Sequence, residues 1–502
     1  MITNNYVELE NQSFEDYNEI VIEEGELRQL PDETDHYFDW QTIAIAGAGF
    51  AIDAYDIFVI GIILPMIYQV YYPDVNQGPT QFISQHPWWD ASLKTTTHLG
   101  NIVGQIGFGY LADKLGRSVV YGDEMIIVLI STLGCTFISS IGNINILHWL
   151  TFWRFIMGIG MGGDYPQSAT ITSERSLTHQ RGMMIASVFS MQGIGILLGS
   201  LISLITLTLF KQSVLMNPKN LDYVWRIIIF LTVIPSTVLL YFRMNMTESK
   251  RFQNEQVQNI KLESLNVDQD DTQIELDANF IENYSSFTNW FKIKKNQTRL
   301  IACCYNWFVL DIAWYGLTLN QSKILFQIGL HKSVHESIYE QQLEIVIGGL
   351  VIALMGTVPG YYFTVYYIEK LGRKPIQIIG FLVISIVLLI LSLFWNTIHN
   401  SPILFVTLFT ISQFFFNFGP NVTTFIYPSE LFPTLYRSTC HGISGAFGKF
   451  GAIVGVLLIN PFFNTHPSLV LFIYSMFMFS GSLVTMIYLP ETKNKSLEEL
   501  SE

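Results

Sequence analysis

Twelve long apolar runs leave this chain little choice of fold. They fall at about 43–70, 92–112, 119–141, 146–171, 183–208, 223–243, 298–321, 343–368, 375–395, 403–427, 438–461 and 468–489. A hydrocarbon layer about 30 Å thick is crossed by about 20 helical residues rising about 1.5 Å each, so every run is long enough to span. Charged residues make up 14% of the 502 positions, where soluble domains carry roughly 25%. So few charges do not coat a soluble multidomain enzyme, and the expected class is an all-α membrane protein.

The net charge of −14 is concentrated in two places. Residues 1–40 hold twelve acids against Arg28, and residues 252–283 hold eight against Lys261; the remainder of the chain sums to +4. Such stretches read as polar, disordered tail and linker. Neither is a basic surface, so nucleic-acid binding has no electrostatic support. The four cysteines have no CxxC spacing and sit in or at the edge of apolar runs, as small buried hydrophobes. They indicate no disulfide framework and no metal or cofactor site. The acidic N-terminus has no apolar core before about residue 42, hence no cleavable signal. The expected organisation is an acidic tail at 1–41, a six-helix bundle at 42–246, an acidic linker at 247–296, a second bundle at 297–490 and a short tail at 491–502.

Orientation follows from Lys and Arg, which favour the cytoplasmic side. With both termini cytoplasmic, eighteen bases lie in inner loops and helix ends; only Lys211, Lys219, Lys323 and Lys332 lie outside. The absence of a cleavable signal favours the plasma membrane over an internal one. The halves are also copies. Asp113-Lys114-Leu115-Gly116-Arg117 recurs 256 residues later as Glu369-Lys370-Leu371-Gly372-Arg373, and Ser173-Glu174 and Arg181 recur as Ser429-Glu430 and Arg437 at the same offset. A duplicated six-helix unit implies two parallel bundles around a central cavity that opens alternately to each side. The repeated turns serve topology on one reading. On the other they form a cytoplasmic gate of Asp113, Arg117, Glu174, Glu369, Arg373, Glu430 and Arg437, a charge latch that breaks when the inner side opens.

Charges inside a bilayer cost several kcal/mol unless paired or solvated. Those noted within the runs are Asp53, Asp56, Glu124, Arg154, Asp164, Asp311 and Lys449. Asp53 and Asp311 stand 258 apart, while Gln192 and Lys449, and Asp164 and Asn421, stand 257 apart. Polar groups thus recur at matching depths in both halves, as a site on the pseudo-two-fold axis requires. Trp307, Asp311 and Tyr315 follow at i, i+4 and i+8 and share a helix face suited to an oxyanion. Lys449, deep in its run, needs an anion: Asp311, Asp164 or the ligand. Asp53 is the first titratable candidate and Asp56 the second. Glu124 admits an interfacial reading, Arg154 a structural pairing within its half, and His441 an interfacial hydrogen bond in preference to a proton shuttle. Gly158, Gly160 and Gly163 fit GxGxxG but lack a βαβ context, so close helix packing is expected instead. Pro166 should weaken its helix beside Asp164 and Tyr165.

The segments GIGMGGDYPQSATITSE (158–174), WFVLDIAWYGLTLNQS (from Trp307) and NFGPNVTTFIYPSELFPTLYRSTCHGISGAFGKFGA (from Asn417) resemble the proton:inorganic phosphate symporters of the major facilitator superfamily. The likeness extends over the spanning region of both halves; it departs at Gln167, Leu435, Ser118 and Glu369. It implies the major facilitator fold, twelve helices in two repeats, and a phosphate site of Tyr165, Gln192, Trp307, Asp311, Tyr315, Asn421 and Lys449. It also implies proton-linked acids at Asp53, Asp164 and Asp311. The expected function is proton-coupled phosphate symport, with phosphate, protons and the bilayer as partners and no cofactor. The alternatives are a carrier of another anion, such as a glycerophosphodiester or organic anion, or a phosphate sensor with little net transport.

Overall fold

All twelve runs are helical in a computed structural model, which describes residues 39–72, 87–139, 145–249, 251–253, 287–327, 337–398, 400–463 and 465–501. The acidic tail through residue 38 and most of the acidic linker lie outside the described residues. The helices are α1 (Trp40–Tyr71), α2 (Pro87–Leu115), α3 (Arg117–Phe137), α4 (Ile146–Arg175), α5 (Arg181–Leu209) and α6 (Pro218–Met244), then α7 (Lys294–Thr318), α8 (Ile338–Leu371), α9 (Arg373–Leu393), α10 (Pro402–Leu431), α11 (Arg437–Phe462) and α12 (Pro467–Tyr488). Ten are apolar enough to cross a membrane by length and composition; α2 and α4 are not among them. Both are long, but they carry much of the buried polar cargo, including Lys94, His98, Asn101, Gln105, Arg154 and Asp164.

Five spans depart from simple helices; Tyr121 and Gly122 interrupt α3, and Leu231 and Thr232 interrupt α6. Val59 separates two helical stretches of α1, Phe418 and Gly419 interrupt α10, and Ala353–Thr357 forms a π-helical turn in α8. By contrast, α4 runs unbroken through Pro166 to Arg175, so the expected weakening there does not occur. One missing backbone bond is tolerated where neighbouring helices pack around it.

Glycine sets how closely the helices approach. A Cβ on Gly158 would lie 2.1 Å from the Thr97 carbonyl, and one on Gly100 2.1 Å from the Phe155 carbonyl, so α2 and α4 pack backbone to backbone. In α11 the glycines serve two neighbours. Gly442 and Gly445 face Gln105 of α2, while Gly451 and Gly455 face the Phe308 and Ile312 carbonyls of α7. The halves meet along α2 with α11 and α5 with α8, contacts that the repeat exchanges. Ser173 Oγ donates to the Ser429 carbonyl at 2.8 Å across a sequence separation of 256. Two copies of one repeat position touch only near the pseudo-two-fold axis. At the end carrying the two glycine-arginine turns, here the basic end, Gly116 and Gly372 adopt φ of 106° and 95°, which a side chain would strain.

Candidate functional site

Midway along the axis, α7 and α11 bring Asp311 and Lys449 together, Nζ to Oδ2 at 3.2 Å, both about 1% exposed. Lys449 also donates to the Tyr315 hydroxyl at 2.9 Å, and its ammonium lies 4.7 and 4.5 Å from the ring centroids of Tyr165 and Tyr315. Tyr315 is within hydrogen-bonding reach of Tyr165 and Gln192. Gln192 accepts from the Tyr361 hydroxyl at 2.6 Å, and Asn421 donates to the same hydroxyl at 2.8 Å. Trp307 completes the group, 6.5 Å from the Tyr165 ring. All seven residues of the expected phosphate site therefore converge from α4, α5, α7, α10 and α11, and Tyr361 of α8 joins them.

The acids of the first half form a separate cluster. Arg243 of α6 binds Asp164 at 2.8 Å and Glu124 at 2.9 Å, and its guanidinium lies 4.3 Å from the Tyr121 ring centroid. Glu124 is therefore buried in an ion pair, not interfacial. Asp53 lies within electrostatic reach of Asp164, Arg243, Tyr165 and Tyr315, so it stands between the two clusters. Neither of its oxygens has a hydrogen-bond partner among the described residues. Asp56 is elsewhere: it accepts from Thr232 at 3.1 Å, and its main-chain carbonyl accepts from Arg154 at 3.4 Å. It does not join the central group.

Aromatic layers close the site on both sides. Toward the basic end Phe50, Phe189 and Phe425, from three helices of both halves, stand 4.6 to 5.4 Å apart by ring centroid. Toward the far end Phe58 stacks on Tyr315 at 5.6 Å, and the His98 ring meets Tyr315 edge-on at 4.5 Å. Beyond them, Lys94 binds Asp90 at 2.7 Å and reaches across the halves to Asn320 at 2.9 Å. Lys323, past the end of α7, is near this group; burial, then the Lys94 charge, lowers its ammonium to about 8.

At the basic end the seven residues expected to form the latch are joined in ion pairs and helix caps. Glu174 binds Arg117 and Arg437, each at 3.1 Å, while Glu430 binds Arg373 at 2.8 Å and Arg181 at 3.0 Å. Arg117 also meets Asp113, and Arg373 meets Glu369, at 3.2 and 2.7 Å. The two acids of the repeated turns cap helices of the opposite half. Asp113 accepts from the main-chain N–H groups of Ser438 and Thr439, and Glu369 from that of Met183. Each latch has a further member. Ser249 donates to Glu174 while Glu248 accepts from Ser118; Thr492 donates to Glu430 while Glu491 accepts from the N–H groups of Arg373 and Lys374. Glu248-Ser249-Lys250 and Glu491-Thr492-Lys493 are repeat copies only 243 residues apart, so a search at 256 passes over them. The short C-terminal segment is accordingly built into the latch, with Leu497 and Leu500 buried.

Two six-helix halves with a buried charged pair between them and side chains joining them at both ends are the build of a multi-pass membrane transporter and not of an enzyme. The chain belongs to the sugar (and other) transporter family, whose model matches residues 41–502. It is 36% identical to the repressible high-affinity phosphate permease of Neurospora crassa, over 92% of this chain and 87% of the permease. It is also 36% identical to the inorganic phosphate transporter PHO84 of Saccharomyces cerevisiae (93% and 85%) and 35% identical to the probable inorganic phosphate transporter 1-8 of Arabidopsis thaliana (92% and 91%). The solved proton:xylose symporter XylE, of the major facilitator superfamily, superposes with a TM-score of 0.69 at 19% identity, covering 92% of this chain and 98% of that one, which establishes the fold.

Proposed function

We propose that this chain is a proton-coupled inorganic phosphate symporter that works by alternating access. The observation that carries the reading is the buried Lys449–Asp311 pair, ringed by Tyr165, Tyr315, Gln192 and Asn421 on the axis between the halves. The phosphate transporters among its relatives supply the substrate.

The pair couples the two substrates by simple electrostatics. Lys449 attracts an oxyanion, but an ionised Asp311 opposes one. Two unit charges about 5 Å apart at an effective dielectric of about 20 repel by about 3 kcal/mol, close to a hundredfold in affinity. A protonated Asp311 removes that repulsion and donates a hydrogen bond, so proton and phosphate bind together. In the empty carrier Lys449 neutralises the ionised Asp311 and lets the site cross the membrane middle as a net-neutral pair. Tyr165, Tyr315, Trp307, Gln192, Asn421 and Tyr361 offer the remaining hydrogen bonds to phosphate. Asp53 and Asp164 pass the proton on, with Arg243 paired to Asp164; Asp56 supports the α1–α6 contact. The basic end faces the cytoplasm of a plasma-membrane protein, both termini are inside, and the latch keeps that side shut in the conformation described.

The test is uptake of labelled phosphate by proteoliposomes under an imposed pH gradient, acid outside. Wild-type protein should accumulate phosphate and lose accumulation when the gradient is collapsed. Asp311→Asn should retain phosphate exchange but lose gradient-driven accumulation; accumulation equal to wild type would refute the coupling role. Failure of glycerophosphodiesters and organic anions to compete separates phosphate from the other anions.

A further inference from the structure

At the basic end, away from the latch and the central site, positive charge collects in a second place. Lys294, Lys295 and Arg299 of α7 and Lys374 of α9 line a cleft of about 560 Å³ whose membrane side is formed by Ile487 and Tyr488 of α12. Lys295 and Arg299 are one helical turn apart and share a face. Ile487 and Tyr488 are 67% and 49% exposed, so the apolar edge of the cleft opens onto lipid. The neighbouring acid, Glu491, is occupied by the N–H groups of Arg373 and Lys374, both at 3.0 Å, and Glu499 is turned to Lys495 at 3.9 Å. Arg299 gives one donor to the Leu500 carbonyl at 2.7 Å. Four cationic side chains thus line the cleft, with Glu491 as the neighbouring acid.

We propose that this cleft binds the headgroup of an anionic phospholipid from the surrounding leaflet. Basic pockets between spanning helices at the membrane surface hold phosphate headgroups through several cations at once. A separate apolar groove of about 460 Å³, lined by Ile301, Phe308, Phe447 and Phe450, lies on the α11 side of α7. The charge exceeds what orientation alone requires. In the first half, the repeat equivalents of Lys374 and Arg299 are Ser118 and Gln41, and those of Lys294 and Lys295 are His36 and Tyr37. Positive-inside topology acts on both halves, whereas this cluster belongs to one.

The experiment is native mass spectrometry of the full chain, purified from vesicles of phosphatidylcholine with a minor share of phosphatidylserine or a phosphoinositide. Wild type should retain anionic lipid in preference to phosphatidylcholine. K294Q/K295Q/R299Q/K374Q should lower that retention at least about tenfold and leave phosphatidylcholine retention unchanged. K294Q/K295Q alone removes two exposed charges and should lower it at least about threefold. K114Q/K211Q/K219Q/K370Q removes the same charge elsewhere and should have no effect; equal loss in this control would overturn the proposal. Displacement of the lipid by excess inorganic phosphate would overturn it too, since the cleft would then be a site for the free anion.

Discussion

Gly442 offers a direct way to bias the carrier. A Cβ placed there would stand 2.1 Å from the Gln105 carbonyl of α2. Side-chain carbons essentially never approach below 3.0 Å, so α2 and α11 must separate by roughly 0.9 Å. Overpacking of this kind costs about 1–3 kcal/mol. Alanine also raises helix propensity, but Gly442 lies inside the helix α11, and a rigid-body motion that keeps that helix cancels the gain between states. The clash exists only while α2 and α11 are closed at the basic end. Gly442→Ala should therefore shift the equilibrium toward opening there by about 5- to 150-fold. Gly455 is the control. Its Cβ would meet the Ile312 carbonyl at 1.9 Å, but that contact lies between α11 and α7 within one half. Gly455→Ala should lower thermal stability and leave the conformational balance alone. Electron paramagnetic resonance distances between labels on the exposed Leu115 and Leu371 read the balance. If Gly442→Ala lengthens that distance no more than Gly455→Ala, the assignment of Gly442 to the moving interface is wrong.

Three further outcomes are expected. Tyr361→Phe removes the hydroxyl shared by Gln192 and Asn421 and should raise the phosphate KM about five- to tenfold, as one hydrogen bond of about 1 kcal/mol is lost; an unchanged KM removes Tyr361 from the site. Glu174→Gln leaves Arg117 and Arg437 buried without their shared acid, a loss of the order of 3–5 kcal/mol for a buried pair, so unfolding in detergent should come several degrees earlier. Lys323, lowered to about 8, should be acylated by an amine reagent from the far side with a midpoint near that pH. The folded state binds this proton less tightly than the unfolded chain does, so stability should rise with pH from about 8 to 10.5; a midpoint close to 10.5 refutes the burial.

The helices were legible because a bilayer demands length and apolarity in a single run, a rule strong enough to place α2 and α4 despite their polar cargo. Intramembrane charge and a fixed repeat offset located Asp311, Lys449, Gln192 and Asn421. Partners were harder to read. Arg243 stands at the end of its run, where any arginine reads as a topology signal, and nothing local shows that it reaches Asp164 and Glu124. Asp56 shares a helix face with Asp53, yet the packing of α6 through Thr232 takes it out of the centre. Tyr361 stands 256 residues from Gln105, an uncharged pair that a reading of intramembrane charges passes over, and Lys94 stands opposite Leu350 at that offset. Pairing between distant helices is a property of the packed fold, and spacing along one chain reports it only when duplication prints it twice.

The two acids at the repeated turns each cap a helix of the opposite half, Asp113 on α11 and Glu369 on α5. Neither half therefore owns its own bolt. Under the alternating access proposed above, freeing one cap leaves the other in place, so opening at the basic end requires both to release. On that proposal, a single duplicated sequence supplies both keys of one lock.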